Sequence, residues 1–335
     1  MEFKKKIFIK NKIIKENKCF IVAEISANHC GKLSIMKRLI SKLKNAGADA
    51  IKIQAYEAST ITIKSSNKDF KIKKNNSWSN YDTLYSLYKK AQTPFAWYPK
   101  IFEFCKKKNI IIFASVFDIK SLKILEKLKC PAYKIASPEI TDIPLIKAAA
   151  KTKKILIISN GLSNIHDLNL AIKTIKKEKN RKLVLLKCTS AYPTPLDEVN
   201  LNTMEDMKER FNCLTGFSDH TAGYNVSIHA ASMGATILEK HVCLDNKKSV
   251  DSFFSIKINE FKKMVKIIKN NEISSGKIDY EISNSSRKNL NGRRSIYVVK
   301  EIKKGELFTE NNIRSIRPSF GMHPKNFEKI LNKKS

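Results

Sequence analysis

Eight short apolar segments recur along this chain, each separated from the next by enough residues for one helix. They are Phe20–Ser26, Ala50–Ala55, Ile110–Phe117, Ala132–Ser137, Ile155–Asn160, Leu183–Thr189, Thr215–His220 and Ile237–Val242. Strands joined through a helix lie parallel, because an antiparallel partner needs only a turn. Eight such units point to a (β/α)8 barrel, a TIM barrel in architecture. The other α/β solution, an open doubly wound sheet, is weakened by the lack of a G-x-G-x-x-G turn after the first strand.

The stretch Gly216–Ser255 is the most informative of these units. It reads as a strand ending in Ser218-Asp219-His220, a helix with Val226, Ile228, Ala231 and Met233, a stop at Gly234, and a strand ending in Glu239-Lys240-His241. The two histidines therefore leave the carboxyl ends of adjacent strands, where barrel active sites are built. Each alone reads as an ordinary hydrogen-bonded strand-end histidine. Together, with Asp219 and Asp251 nearby in sequence, His220 and His241 read as ligands of a divalent metal, Mn²⁺ or Mg²⁺, completed by water and substrate.

Several strands carry a charge among apolar neighbours: Glu24, Lys52, Lys134, Lys187 and Glu239. Strand side chains alternate, and helices cover the outside, so these charges are expected to point into the barrel. An internal ion pair would satisfy some of them. Three lysines against two glutamates suggest a site for an anion. Ser115, Ser137, Ser159 and Ser218, at the same strand ends, add hydroxyl donors suited to phosphate oxygens. No P-loop is present, which argues against a nucleoside triphosphate.

Composition bounds the remaining classes. The formal charge of +33 invites a nucleic-acid reading. The excess is mostly lysine scattered over helical segments, such as Lys37, Lys42 and Lys44 or Lys173, Lys176 and Lys177, with no basic motif interleaved with aromatics. No nucleic-acid partner is expected, although the field would draw in an anionic substrate. Seven dispersed cysteines without a C-x-x-C pair form neither a disulfide framework nor a zinc cluster, and Cys188 and Cys243 read as small core residues. With no membrane-spanning run or signal core, a cytoplasmic protein without a membrane partner is expected.

Outside the strands, residues 1–18 read as a hairpin turned at Asn11-Lys12, and the long connection 56–98 holds a helix around Leu84, Leu87 and Tyr88 that reads as a barrel cover. The expected division is a barrel domain over 1–270, a polar linker over 271–290, and a small β-rich domain over 291–335. Arg287, Arg293, Arg294, Arg314 and Arg317 gather in this tail, within a chain that otherwise prefers lysine.

The motifs AEISANH, KIQAY, KIASPEITDIPLI, ISNG, KCTSAYPTP, SDHT, LEKH and DSFFS resemble the sialic acid synthase family, and its pseudaminic acid branch in particular. The T-L-Y-x-L-Y…T-P-x-x-W insertion resembles that branch too, and the tail resembles the family's antifreeze-like (SAF) domain. The resemblance implies a C–C bond-forming transferase that condenses phosphoenolpyruvate with an amino sugar, 2,4-diacetamido-2,4,6-trideoxy-L-altrose in that branch. It implies that Lys52, Ser115, Lys134, Ser137, Ser159 and Ser218 bind phosphoenolpyruvate and that His220 and His241 hold the metal. Glu24, Tyr192 and Asp251 would handle the sugar and reacting groups. Arg317 would reach the sugar in the partner subunit's site, which implies a domain-swapped homodimer.

Four features depart from the family pattern. NKKSV precedes Asp251 where Gly-Pro is common, Asn160 replaces a threonine, Val116 replaces a proline, and the chain stops at LNKKS. A short tail would leave an open strand edge in the small domain. The alternatives are a synthase of N-acetylneuraminate or legionaminic acid, and a weakened paralogue that binds sugar without turnover.

Overall fold

The computed structural model describes residues 1–245 and 248–335. They form two compact units, Met1–Ser275 and Gly276–Ser335. The first begins with the hairpin β1 (Lys6–Ile9) and β2 (Lys12–Lys15), whose turn falls on Lys10 and Asn11, one residue earlier than expected. Eight parallel strands follow: β3 (Phe20–Glu24), β4 (Ala50–Ala55), β5 (Ile111–Val116), β6 (Ala132–Ile135), β7 (Ile155–Ser159), β8 (Leu183–Cys188), β9 (Leu214–Asp219) and β10 (Ile237–Cys243). The helices between and after them are α1 (Leu33–Asn45), α2 (Tyr98–Lys107), α3 (Ile119–Lys127), α4 (Ile143–Lys151), α5 (Ile165–Lys177), α6 (Thr203–Phe211), α7 (Asn225–Ser232) and α8 (Ile258–Ser275).

The strands pair in chain order, and β10 pairs with both β9 and β3. That double pairing closes the sheet into a (β/α)8 barrel and removes the open-sheet alternative. Closure needs a close approach at Gly216, where a Cβ would lie 2.2 Å from the Ile237 carbonyl oxygen of the neighbouring strand. A two-residue strand, β11 (Ile256–Lys257), adds to the end of β10.

Helix faces follow their apolar spacing. In α1, Met36, Leu39, Ile40 and Leu43 are buried against the sheet, and the lysines lie on the outward side. Asp118, Asp142 and Asn164 cap α3, α4 and α5 by accepting from backbone N–H groups of the first turn. The hairpin meets the amino ends of the strands: Lys4 N–H donates to the Arg181 carbonyl before β8, and Lys12 pairs with Asp49 before β4. Its Ile7, Ile9 and Ile14 are fully buried there. The carboxyl ends remain for the site, crossed by connection 56–98 with its capped helix Leu84–Ala91.

The second unit pairs β12 (Ser295–Val298) with β13 (Ile313–Ile316) antiparallel, burying Ile296 and Ile313. Its last residues are hydrogen-bonded rather than leaving an open edge: Phe308 N–H donates to Lys333 O, Asn332 N–H to Phe308 O, and Ser335 N–H to Glu306 O. No helix among the described residues is long and apolar enough to cross a membrane.

Candidate active site

Register around the barrel brings the inward charges together. His241 pairs with Glu24, Glu24 with Lys52, Ser115 with Lys134, and Glu239 with Ser218. Residues paired across parallel strands share a face, so these side chains meet inside the barrel mouth. Lys52 Nζ lies 2.6 Å from Glu24 Oε2 and 3.1 Å from Glu239 Oε1. Lys134 Nζ lies 2.7 Å from the same Glu239 oxygen. Lys52 donates to Ser115 Oγ at 2.9 Å, and Ser218 donates to Glu239 at 2.9 Å. All four charged groups are buried.

Burial pushes down both ammoniums, with different outcomes. Lys52 faces two carboxylates and stays above its ordinary value, while Lys134, with one carboxylate and Lys52 beside it, falls below. Against the upward push of burial, Lys134 and Lys52 hold Glu239 well below the usual carboxylate range. Burial lifts Glu24 despite Lys52.

The expected excess of three inward lysines is corrected to two. Lys187 turns aside and donates to Cys188 O at 2.9 Å and Thr189 Oγ1 at 3.2 Å. Lys240, flanked by inward Glu239 and His241, is fully buried on the opposite face and pairs with Asp219 at 2.9 Å. Asp219 also accepts from Thr221 and Ser227, so it belongs to that outer pair and not to the histidines.

Ser137 and Ser159 complete the floor. Gly161 N–H donates to Ser137 Oγ at 2.9 Å, and a Cβ at Gly161 would lie 2.8 Å from that oxygen. The buried Ser159 hydroxyl has no hydrogen-bond partner among the described residues. Cys188, read from sequence as core, lines this floor with its Sγ 3.7 Å from His220 Nδ1.

The His220 and His241 rings lie 5.3 Å apart at their centroids. His220 Nδ1 donates to the Thr189 carbonyl at 3.0 Å, so the neutral ring carries its lone pair on Nε2, the tautomer a metal needs. Against the downward push of burial, Cys188 beside it raises the imidazole above its ordinary value. His241 Nδ1 is buried without a hydrogen-bond partner among the described residues, and burial, with His220 second, keeps its imidazole far below its ordinary pKa and so neutral. These donors fit a divalent cation. Among the described residues no three His, Cys, Asp or Glu side chains are grouped to hold one.

Above the floor opens a cleft of about 440 Å³. Tyr192 packs on His220 at 4.4 Å between ring centroids, and Phe254 lies 4.8 Å from His241. Asp251 lines the cleft and accepts from Ser26 Oγ and from Ala27 N–H at 3.2 Å. Burial lifts its carboxyl above the ordinary range despite those donors. Val250 and Asp251 are described, whereas Asn246 and Lys247, the start of the divergent NKKSV loop, lie outside the described residues.

Three cleft residues were missed from sequence. Glu139, in the turn after β6, has one buried oxygen without a partner among the described residues and is pushed up to about 8 by burial and by Asp142. Trp78, from connection 56–98, donates from Nε1 to the Val250 carbonyl at 3.2 Å and meets Tyr192 at 5.2 Å. Tyr56 forms part of the wall. Glu139 and Tyr56 had a sequence signal, their places in KIASPEIT beside Lys134 and Ser137 and at the end of KIQAY after Lys52, whereas Trp78 had none. Arg317 is exposed in the second unit.

Comparison with known proteins agrees with this architecture. The NeuB family model matches residues 39–280 and the SAF domain model residues 293–335. The chain is 41% identical over 321 residues to pseudaminic acid synthase of Campylobacter jejuni, covering 96% of this chain and 93% of that protein. It is 33% identical over 321 residues to the N,N'-diacetyllegionaminic acid synthase of the same species, covering 94% and 95%. The crystal structure of N-acetylneuraminic acid synthetase from Leptospira borgpetersenii, in complex with citrate, superposes with a TM-score of 0.74 at 29% identity, covering 86% of this chain and 96% of that one. A closed barrel with this floor of charges, matched along most of its length, belongs to the NeuB family, with a SAF domain at its carboxyl-terminal end.

Proposed function

We propose that this protein condenses phosphoenolpyruvate with 2,4-diacetamido-2,4,6-trideoxy-L-altrose, giving pseudaminic acid and phosphate. The observation that carries this choice is the 41% identity along nearly the whole chain to proteins named for that activity, against 33% to the legionaminic acid synthase. Legionaminic acid synthesis is the second reading, favoured by that 33% match.

Lys52 and Lys134, with Ser115, Ser137, Ser159 and Ser218, bind the phosphate and carboxylate of phosphoenolpyruvate. His220 and His241 hold a divalent cation, Mn²⁺ or Mg²⁺, which supplies Lewis-acid polarisation of the open-chain sugar aldehyde. Tyr192 and Asp251 face the sugar. C3 of phosphoenolpyruvate bonds to the aldehyde carbon, and the aldehyde oxygen becomes a hydroxyl by taking the proton held on Glu139. Glu24 stands beside C2 as positive charge develops there. Water adds at C2 and returns a proton to Glu139. The tetrahedral carbon then expels phosphate between Lys52 and Lys134, the C2 hydroxyl proton passing to the departing phosphate as the keto group forms.

The working unit is a swapped homodimer in the cytoplasm, with the partner subunit's Arg317 capping the sugar. Its support is the separate second unit that carries this exposed arginine, together with the family resemblance.

Three experiments test these assignments. Phosphate release with phosphoenolpyruvate and a panel of acetamido sugars should be fastest with the diacetamido altrose and should vanish on chelation. A preference for N-acetylmannosamine would move the protein to another branch, and full turnover in a metal-stripped sample would remove the cation. Glu139 acts in its protonated form, which is lost as pH rises through about 8. The kcat/KM profile should therefore fall above that pH, and Glu139→Gln should lose that limb together with most of the rate. An unchanged limb in the variant would assign it to another group. Co-expression of the inactive variants Arg317→Ala and His241→Ala should give mixed dimers with restored turnover, since one barrel then has both its histidine and its cap. Verified mixed dimers without recovery would place Arg317 outside the reaction or within its own subunit.

A further inference from the structure

Ser26 occupies a backbone position that suits glycine. Its φ is +47°, in the left-handed region that L side chains rarely adopt, and it is 2% exposed, at the turn after β3. Its N–H donates to Glu24 Oε1 at 2.5 Å, and its hydroxyl donates to Asp251 Oδ2. One residue in strained geometry thus touches both a floor carboxylate and the cleft carboxylate.

The loop that carries Asp251 is already anchored without Ser26. Ser249 Oγ donates to Asn28 Oδ1 at 2.5 Å, and Asn28 Nδ2 donates to Ser255 Oγ at 2.9 Å and to Val242 O at 3.0 Å. Ser255 Oγ in turn donates to the Asp251 carbonyl at 2.6 Å. These contacts hold the loop on either side of Asp251 and do not involve its carboxylate. Ser26 Oγ and Ala27 N–H grip the carboxylate, both on Oδ2, and the Trp78 side chain approaches it as a further donor. Glycine would satisfy the turn with less strain but would remove the hydroxyl donor from Oδ2.

We propose that Ser26 is a positioning residue that accepts a strained turn so that its hydroxyl can aim the Asp251 carboxylate into the sugar cleft. This rests on Asp251 facing the sugar, as proposed above. The burial that lifts the Asp251 carboxyl makes each remaining donor more valuable to its charged form.

The test compares Ser26→Gly, Ser26→Ala, Asp251→Asn and the double variant Ser26→Gly/Asp251→Asn by steady-state kinetics and thermal unfolding. Both Ser26 variants should lose about 10- to 100-fold in kcat while KM for phosphoenolpyruvate, held on the separate floor, stays unchanged. The Gly variant should nevertheless unfold a few degrees above the Ala variant, because only alanine keeps the strain. The double variant should be no slower than Asp251→Asn alone, because Ser26 acts through that carboxylate. If Ser26→Gly keeps the wild-type kcat beside an inactive Asp251→Asn, the positioning role is overturned and the assignment of Asp251 stands. If Asp251→Asn keeps full kcat, both are overturned. Multiplying losses in the double variant would show that Ser26 acts independently, which also overturns the proposal.

Discussion

Lys52, Glu24, Glu239 and Lys134 form a buried chain of charges across the inside of the barrel, and the other features of the site are arranged around it. Taking such groups out of water costs several kcal/mol for each ion, and only short, well-aligned contacts offset that. Here one glutamate oxygen, Glu239 Oε1, serves two ammoniums and a serine hydroxyl at 3.1, 2.7 and 2.9 Å. The arrangement survives only if β10, β3, β4 and β6 keep their register, since a slip of one residue would turn each charge into the helix layer. The same chain of charges is the proposed seat of the anion. In the proposed reaction the lysines are held by carboxylates that an entering phosphate would partly replace, and Glu24 and Glu239 balance Lys52 and Lys134 in the meantime.

The site has a floor carried by strand ends and a wall carried by loops. Floor groups stand on strands or at the first residues beyond them, where the barrel fixes their geometry. The wall comes from connection 56–98 and the segment around Asp251, joined through Trp78 Nε1 and the Val250 carbonyl and packed with Phe253 and Phe254. This division suits a reaction whose phosphoenolpyruvate half is common to a family while the sugar half varies. Chemistry needs the fixed charges, and selection among sugars is left to segments that can change without disturbing the barrel.

Much of this was legible in the sequence because strand and helix periods differ. The eight strands were located to within two residues, and His220 and His241 could be assigned to neighbouring strand ends. Alternation gave the facing of Glu24, Lys52, Lys134 and Glu239, but not which of them are neighbours around the closed sheet. For that reason the lysines looked unpaired. Alternation also holds at Lys187, which pairs with Phe217 while its neighbour Cys188 pairs with inward Ser218. What failed was the assumption that its charge must point inward, since carbonyl and hydroxyl groups at the strand end take up the ammonium. Lys240 is buried on the outer face because Asp219 meets it there. Glu139 lies in a turn, where no periodicity exists to indicate a face, and Trp78 reaches the site through a connection whose path no local pattern fixes. Helix ends were equally obscure. Several helices are followed by left-handed Asn109, Lys129, Lys153, Lys179 or Asn212 rather than glycine.

The central claim is that Lys134, although paired with Glu239, forms part of the seat of phosphoenolpyruvate. Calorimetric titration of phosphoenolpyruvate into the wild type and Lys134→Met tests it without requiring turnover. The variant keeps Glu239 compensated by Lys52, so it should still fold, as circular dichroism can verify. The expected result is a Kd raised by roughly tenfold or more, in line with the loss of one charge-assisted contact. An unchanged affinity in a folded variant would contradict the claim and place the anion elsewhere in the barrel.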